Sequence, residues 1–136
     1  HSGLSALAGA NDMREVHRHA ESGDPGALLA LDVYCYRVRK YVGAYHAVLG
    51  RLDAVVFTAG VGENDPDVRA RALAGLEPMG IEVDPARNRS PGRDARSISP
   101  DNAAVAVLVV PTNEELEIAR QTLAVATRPT KTASHP

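Results

Sequence analysis

The chain has 136 residues, 44% hydrophobic and 24% charged, with 15 basic and 17 acidic side chains and a formal net charge of −2. This composition fits one globular domain and excludes wholesale disorder, while the near balance of charge argues against a general nucleic-acid or membrane-surface binder. No apolar run reaches the ~18 residues of a membrane span, and the single Cys35 has no partner for an internal disulfide, so a reducing, cytosolic setting is expected.

The chain opens His1-Ser2-Gly3 without a methionine, and His1 is therefore expected to mark a cut or a scar. Residues 2–9 are small and apolar without a period and read as an extended or loop segment. Asn11 and Asp12 then supply caps, and Asp12-x-x-Glu15 has the form of a capping box for a short helix to about Ala20, stopped by Ser22-Gly23. His17 and His19, two apart, point to different helix faces and cannot grip one metal, so both are expected at the surface.

Asp24-Pro25 restarts the chain as a helix by the cap-then-proline device. From there Leu28, Leu31, Cys35, Val38, Val42, Tyr45 and Leu49 form one apolar stripe at steps of three and four, with Ala30, Tyr34, Tyr41, Ala44 and Val48 beside it. Two apolar rows predict a helix packed on more than one side, between a sheet and a partner, and ended by Gly50.

Next, Asp53-Ala-Val-Val-Phe-Thr-Ala-Gly60-Val-Gly62-Glu-Asn64-Asp-Pro66 reads as a buried strand, a Gly-x-Gly turn and a helix capped by Asp65. Strand, glycine elbow and helix start together make a place for a nucleotide or another anion. Gly60-Val61-Gly62 lacks the third glycine of the dinucleotide fingerprint and the Lys-Ser/Thr of a P-loop. By pattern alone a tight turn whose glycines serve only chain geometry is the stronger reading.

Pro66 to Leu76 predicts an amphipathic helix with Val68, Ala72 and Leu76 inward and Asp67, Arg69 and Arg71 outward, followed by a short strand over 80–84. Pro85 to Pro100, with Arg87, Arg89, Arg93 and Arg96 among Pro, Gly and Ser, is expected as a solvated loop. Ala103 to Val110, apolar throughout, predicts a strand interior to a sheet. Thr112-x-x-Glu115 forms a capping box for a last helix to about Ala126 burying Leu116, Ala119 and Leu123, which leaves Glu114 free in the first turn. Such a carboxylate can hold magnesium through water or merely favour the helix dipole, and pattern alone favours the second. Thr127 to Pro136 is polar and expected to be disordered.

Taken together, Ser2-Gly-Leu, Asp12-Met13-Arg14, Tyr36-Arg-Val-Arg-Lys-Tyr-Val-Gly-Ala-Tyr45, Phe57-Thr-Ala-Gly-Val-Gly-Glu-Asn64 and Pro111-Thr-Asn-Glu-Glu-Leu116 resemble, in order and spacing, the C-terminal part of the acetate kinase family. The resemblance runs to about Ala126 and implies an α/β fold, part of the C-terminal lobe of an actin-like ATPase or sugar kinase, with a sheet flanked by helices and the N-terminal lobe absent. It implies a nucleotide-binding lobe over residues 1–126. Residue by residue it assigns Asp12, Met13 and Arg14, together with Gly60, Val61, Gly62, Glu63 and Asn64, to ATP, and Glu114 to Mg²⁺. Ala10-Asn11 stands where the family usually has Ser-Ser, and Ser5-Ala6 interrupts a more aliphatic opening.

The reaction so implied moves the ATP γ-phosphoryl group to the carboxylate of acetate, giving acetyl phosphate and ADP or the reverse, in a cytoplasmic homodimer. Acetate would be held by the absent lobe, no catalytic residue falls in this chain, and alone it is expected to be inactive. The alternative is a noncatalytic packing or dimerisation piece built on the long helix.

Overall fold

The computed structural model describes residues 9, 12–113 and 123. Four of the described helices begin where short acidic side chains can replace missing backbone partners. Asp12, Asp24, Asp65 and Asp84 each take an extended conformation and accept a hydrogen bond from a first-turn N–H, and the last three precede proline. The elements in order are α1 (Met13–Glu21), α2 (Pro25–Leu49), β1 (Ala54–Thr58), α3 (Ala59–Asn64), α4 (Pro66–Leu73), a 3₁₀ turn (Glu77–Met79), α5 (Pro85–Arg89), β2 (Arg96–Ser97) and β3 (Ala106–Val110). Gly50, in the left-handed region at φ 69°, ends α2 as expected, its N–H donating to His46 O at 3.0 Å.

The sheet is small and mixed, in the order β1-β3-β2. β1 and β3 run parallel from Ala54↔Ala106 to Thr58↔Val110, and β2 is antiparallel to β3. The apolar interior has two regions. Met13, Val16, Ala27, Ala30, Leu31, Cys35, Val68 and Ala72 close the helical layer of α1, α2 and α4. Leu73, Leu76, Ile81, Ile98, Val105, Val107 and Val109 close the sheet layer, with Val42 of α2 reaching into it. The expected α/β class holds, and no helix among the described residues is long and apolar enough to cross a membrane.

Several expectations are corrected. Among the described residues β1 is an edge strand, not a buried one: Val56 is 52% exposed. β3 is central, yet Val107 and Val109 are buried while Ala106, Leu108 and Val110 are half-buried, the alternation of a strand covered on one face. α2 buries Ala27, Ala30, Leu31 and Cys35 on one side, and Leu28, Tyr45 and Leu49 of the predicted stripe are exposed. The second predicted side has no cover among the described residues.

The predicted strand at 80–84 is a single bridge, Ile81↔Val105. The predicted loop 85–100 contains α5 and β2, because Asp84-Pro85 is one more cap-and-proline start. Leu123 is helical but 64% exposed rather than buried. Glu114, Glu115, Leu116, Ala119 and the tail from Thr127 lie outside the described residues.

Candidate functional site

Because β1 and β3 are parallel, the segments that follow them leave from one edge of the sheet. Side chains join the two exits there. Thr58 Oγ1 lies 2.8 Å from Thr112 Oγ1, and the Thr112 N–H donates to Glu63 Oε2 at 3.1 Å. Beside this rim is a cleft of about 590 Å³ lined by Asp12, Met13, Arg14, Gly60, Val61, Asn64 and Asp65, within the ~300–1,000 Å³ typical of small-molecule sites. Residues separated by almost fifty positions therefore share one cavity.

The β1–α3 junction is conformationally unusual. Ala59 has φ 54°, and Gly60 follows at φ 35°, ψ −110°, a break inside α3 that favours glycine. Asn64 Nδ2 donates to Gly60 O at 2.9 Å and closes the turn. The expected glycine elbow is present at Gly60, but a short helix separates it from the Asp65 cap. Gly62 does not line the cleft; a Cβ there would meet Phe57 at 3.5 Å, an ordinary contact. Glu63 does not line it either, since its carboxylate turns to Thr112.

At the other wall, Asp12 caps α1 through Oδ1, which accepts from Arg14 N at 2.9 Å, while Arg14 Nη2 reaches Oδ2 at 2.7 Å. The Arg14 guanidinium holds the Asp12 carboxyl below its ordinary pKa. The capping box is not formed, because Asp12 bonds the Arg14 N–H and Glu15 instead pairs with Arg18 at 3.8 Å. Met13 presents an edge to the cleft but is itself core, whereas the Arg14 side chain is 91% exposed.

Two contacts depart from the expectations drawn from the sequence. His17, expected at the surface, places Nε2 at 2.7 Å from Asp65 Oδ2, with side chains 24% and 14% exposed. Arg69, expected outward, is 1% exposed. Its Nε and Nη2 donate to Asn88 Oδ1 and Asn88 O, both at 2.8 Å, and its Nη1 donates to Gly62 O at 3.0 Å and Glu63 O at 2.8 Å. One signal was available: Arg69, Ala72, Leu73 and Leu76 share the i, i+3, i+4, i+7 face.

Cys35 is buried as expected, its Sγ 4.0 Å from Val68 O, and burial pushes its thiol up to about 11, so it packs rather than reacts. Among the described residues no three His, Cys, Asp or Glu side chains converge as a metal cage.

The family model described as the acetokinase family matches residues 1–120. The chain is 61% identical over 122 residues to an acetate kinase of Nitratidesulfovibrio vulgaris, a match covering 90% of this chain and 30% of that protein. It superposes on the crystal structure of Porphyromonas gingivalis acetate kinase with TM-score 0.82 and 40% identity, over 92% of this chain and 32% of that one. On a propionate kinase from Francisella tularensis the values are TM-score 0.76 and 38% identity, over 88% and 30%. The chain thus spans about a third of the length of these relatives.

Proposed function

Because the chain belongs to the acetokinase family, we propose that it is the ATP- and Mg²⁺-binding part of a longer kinase that transfers the γ-phosphoryl group to the carboxylate of acetate, reversibly giving acetyl phosphate and ADP. The observation that carries this reading is the single cleft onto which Asp12–Arg14 and Gly60, Val61 and Asn64 open from two distant parts of the chain.

In that cleft the Arg14 guanidinium, on an exposed side chain, stacks on the purine, and the Asp12 carboxylate takes a ribose hydroxyl once its pairing with Arg14 loosens. The backbone at Gly60 and Val61 meets the adenosine and inner phosphate, and Asn64 braces that turn through Gly60 O. Gly62 and Glu63 contribute by shaping the loop, with the Glu63 carboxylate tied to Thr112. Glu114 is assigned to magnesium; what supports it is its place two residues beyond Thr112, which stands at the rim. Bound magnesium would offset phosphate charge during transfer.

Residues 1–126 then form one nucleotide-binding C-terminal lobe of an actin-like fold and 127–136 a tail, the whole acting in the cytoplasm as part of a homodimer. The family motifs quoted above support that assignment. Phosphoryl transfer rests on positioning and on neutralising the equatorial oxygens, and this chain holds only the nucleotide side of that arrangement. Alone it is inactive.

A second reading, a noncatalytic packing or dimerisation piece, is favoured by one feature. Tyr41, Tyr45, Val48 and Leu49 stand exposed at the end of α2, with the two tyrosine rings stacked at 6.5 Å. Calorimetry with Mg-ATP separates the two. Binding that weakens in Arg14→Ala and Gly60→Ala supports the first reading, and no heat at millimolar nucleotide with a concentration-dependent mass supports the second.

A further inference from the structure

We infer that Arg69 is a positioning residue for nucleotide: its buried guanidinium clamps the carbonyl end of α3 against α5 and so sets how Gly60, Val61 and Asn64 face the cleft. The inference rests on the nucleotide reading of that cleft.

A helix of six residues with a break at Gly60 cannot hold its own shape. Its last carbonyls have no successors within the helix and need outside donors. Arg69 supplies them. Nη1 is shared between Gly62 O and Glu63 O, at 3.0 and 2.8 Å, while Nε and Nη2 fork onto Asn88 Oδ1 and O. Asn88 is itself buried, and its Nδ2 donates to Pro66 O at 2.8 Å, so α3, α4 and α5 are locked through one planar group.

The chemistry of the side chain matters as much as its place. Among the described residues no carboxylate pairs with Arg69; its hydrogen bonds go to neutral oxygens. A positive charge held behind the loop in a poorly solvated setting also favours an anion in front of it. Lysine keeps the charge but not the fork, because its single nitrogen cannot span the oxygens that Nε, Nη1 and Nη2 reach separately.

The test measures two things in the 136-residue chain and in Arg69→Lys: amide hydrogen exchange, and Mg-ATP binding by calorimetry. Arg69→Lys is expected to speed exchange at residues 60–65 and to weaken Mg-ATP by about tenfold, the factor that about 1.4 kcal/mol represents. Amides in the middle of α2 should change far less. Equal acceleration throughout the chain, or Mg-ATP binding equal to wild type, overturns the inference.

If Arg69→Lys does not fold, Asn88→Ala removes the Oδ1 acceptor and the Nδ2 bond to Pro66 O, and leaves the other three bonds of Arg69. The same loop-confined pattern is then expected at smaller amplitude, and its absence counts against the clamp. A wild-type chain that takes up no nucleotide overturns the underlying reading of the cleft. A wild-type chain that binds while both variants bind as well overturns the clamp alone.

Discussion

His17 Nε2 and Asp65 Oδ2 meet at 2.7 Å across 48 residues of sequence, while Asp65 Oδ1 accepts from Val68 N at 2.9 Å. One carboxylate therefore caps α4 and ties it to α1, the helix that carries Asp12 and Arg14. The joint connects the two segments that wall the cleft, since Asp12–Arg14 lie on one side of it and Gly60, Val61, Asn64 and Asp65 on the other.

Removing the imidazole should loosen the joint and leave the cap. His17→Ala is expected to lower stability by about 1 kcal/mol, the usual net worth of a partly buried hydrogen bond. His19→Ala, whose side chain is 41% exposed and makes only a long 3.7 Å contact with Asp24, should stay within about 0.5 kcal/mol. Urea unfolding of both variants checks the pair, and equal losses would mean that the contact with Asp65 contributes nothing.

The two glycines of the turn should behave differently. A Cβ at Gly60 meets no atom within 4 Å, so Gly60→Ala tests backbone conformation alone. A cost of about 1–2 kcal/mol is expected for forcing alanine to that φ, with weaker Mg-ATP binding. Gly62, with an ordinary φ and Phe57 at 3.5 Å, should accept alanine within about 0.5 kcal/mol. Thermal melts of the two variants decide the order.

Arg14→Ala should separate binding from stability. The Asp12–Arg14 pair is exposed, and such pairs contribute little to folding, so the melting temperature should hardly move. Mg-ATP affinity should fall by roughly a few-fold, the order that an exposed cation–π contact supplies. In the same variant the Asp12 carboxyl should titrate nearer its ordinary value, because the side-chain hydrogen bond from Arg14, the larger cause of its depression, is gone while the backbone one remains. Carboxylate titration by nuclear magnetic resonance reads that shift. The pair's own small contribution is present above the ordinary carboxylate pKa and fades as pH falls through the lowered value.

Cys35 makes stability pH-dependent on the alkaline side. Burial raises its pKa from 9.0 to about 11, so between those values the unfolded chain releases a proton that the folded chain keeps. Stability is complete below the unfolded value and declines as pH rises toward the folded one. The urea midpoint of the wild-type chain should drop more steeply between about pH 9 and about pH 11 than that of Cys35→Ala. Parallel curves would mean that the thiol is not desolvated.

Features fixed within a few neighbouring residues were legible in the sequence. Asp12, Asp24 and Asp65 cap helices because a short carboxylate can reach an N–H two or three positions on, and Pro25 and Pro66 start them because the ring already has a helical φ. The turn at Gly60 and the strands at Val55 and Val107 follow from the same local rules. The inward turn of Arg69 did not, because charge predicts exposure unless distant acceptors exist, and Asn88 lies 19 positions away on a helix that looked like loop. β1 read as buried because its residues are apolar, whereas only the face carrying Val55 and Phe57 packs on the core and Val56 stands on the uncovered face.

By itself the sequence determined the element starts, the α/β class and the segments that resemble a known nucleotide site. Whether those segments meet was decided by tertiary structure alone: parallel pairing of β1 with β3 put Thr58, Glu63 and Thr112 on one rim, and the His17–Asp65 contact brought α1 to face the Gly60 turn. Caps and turns act over one helical turn of chain, while pairing and burial depend on which distant surfaces exclude water together.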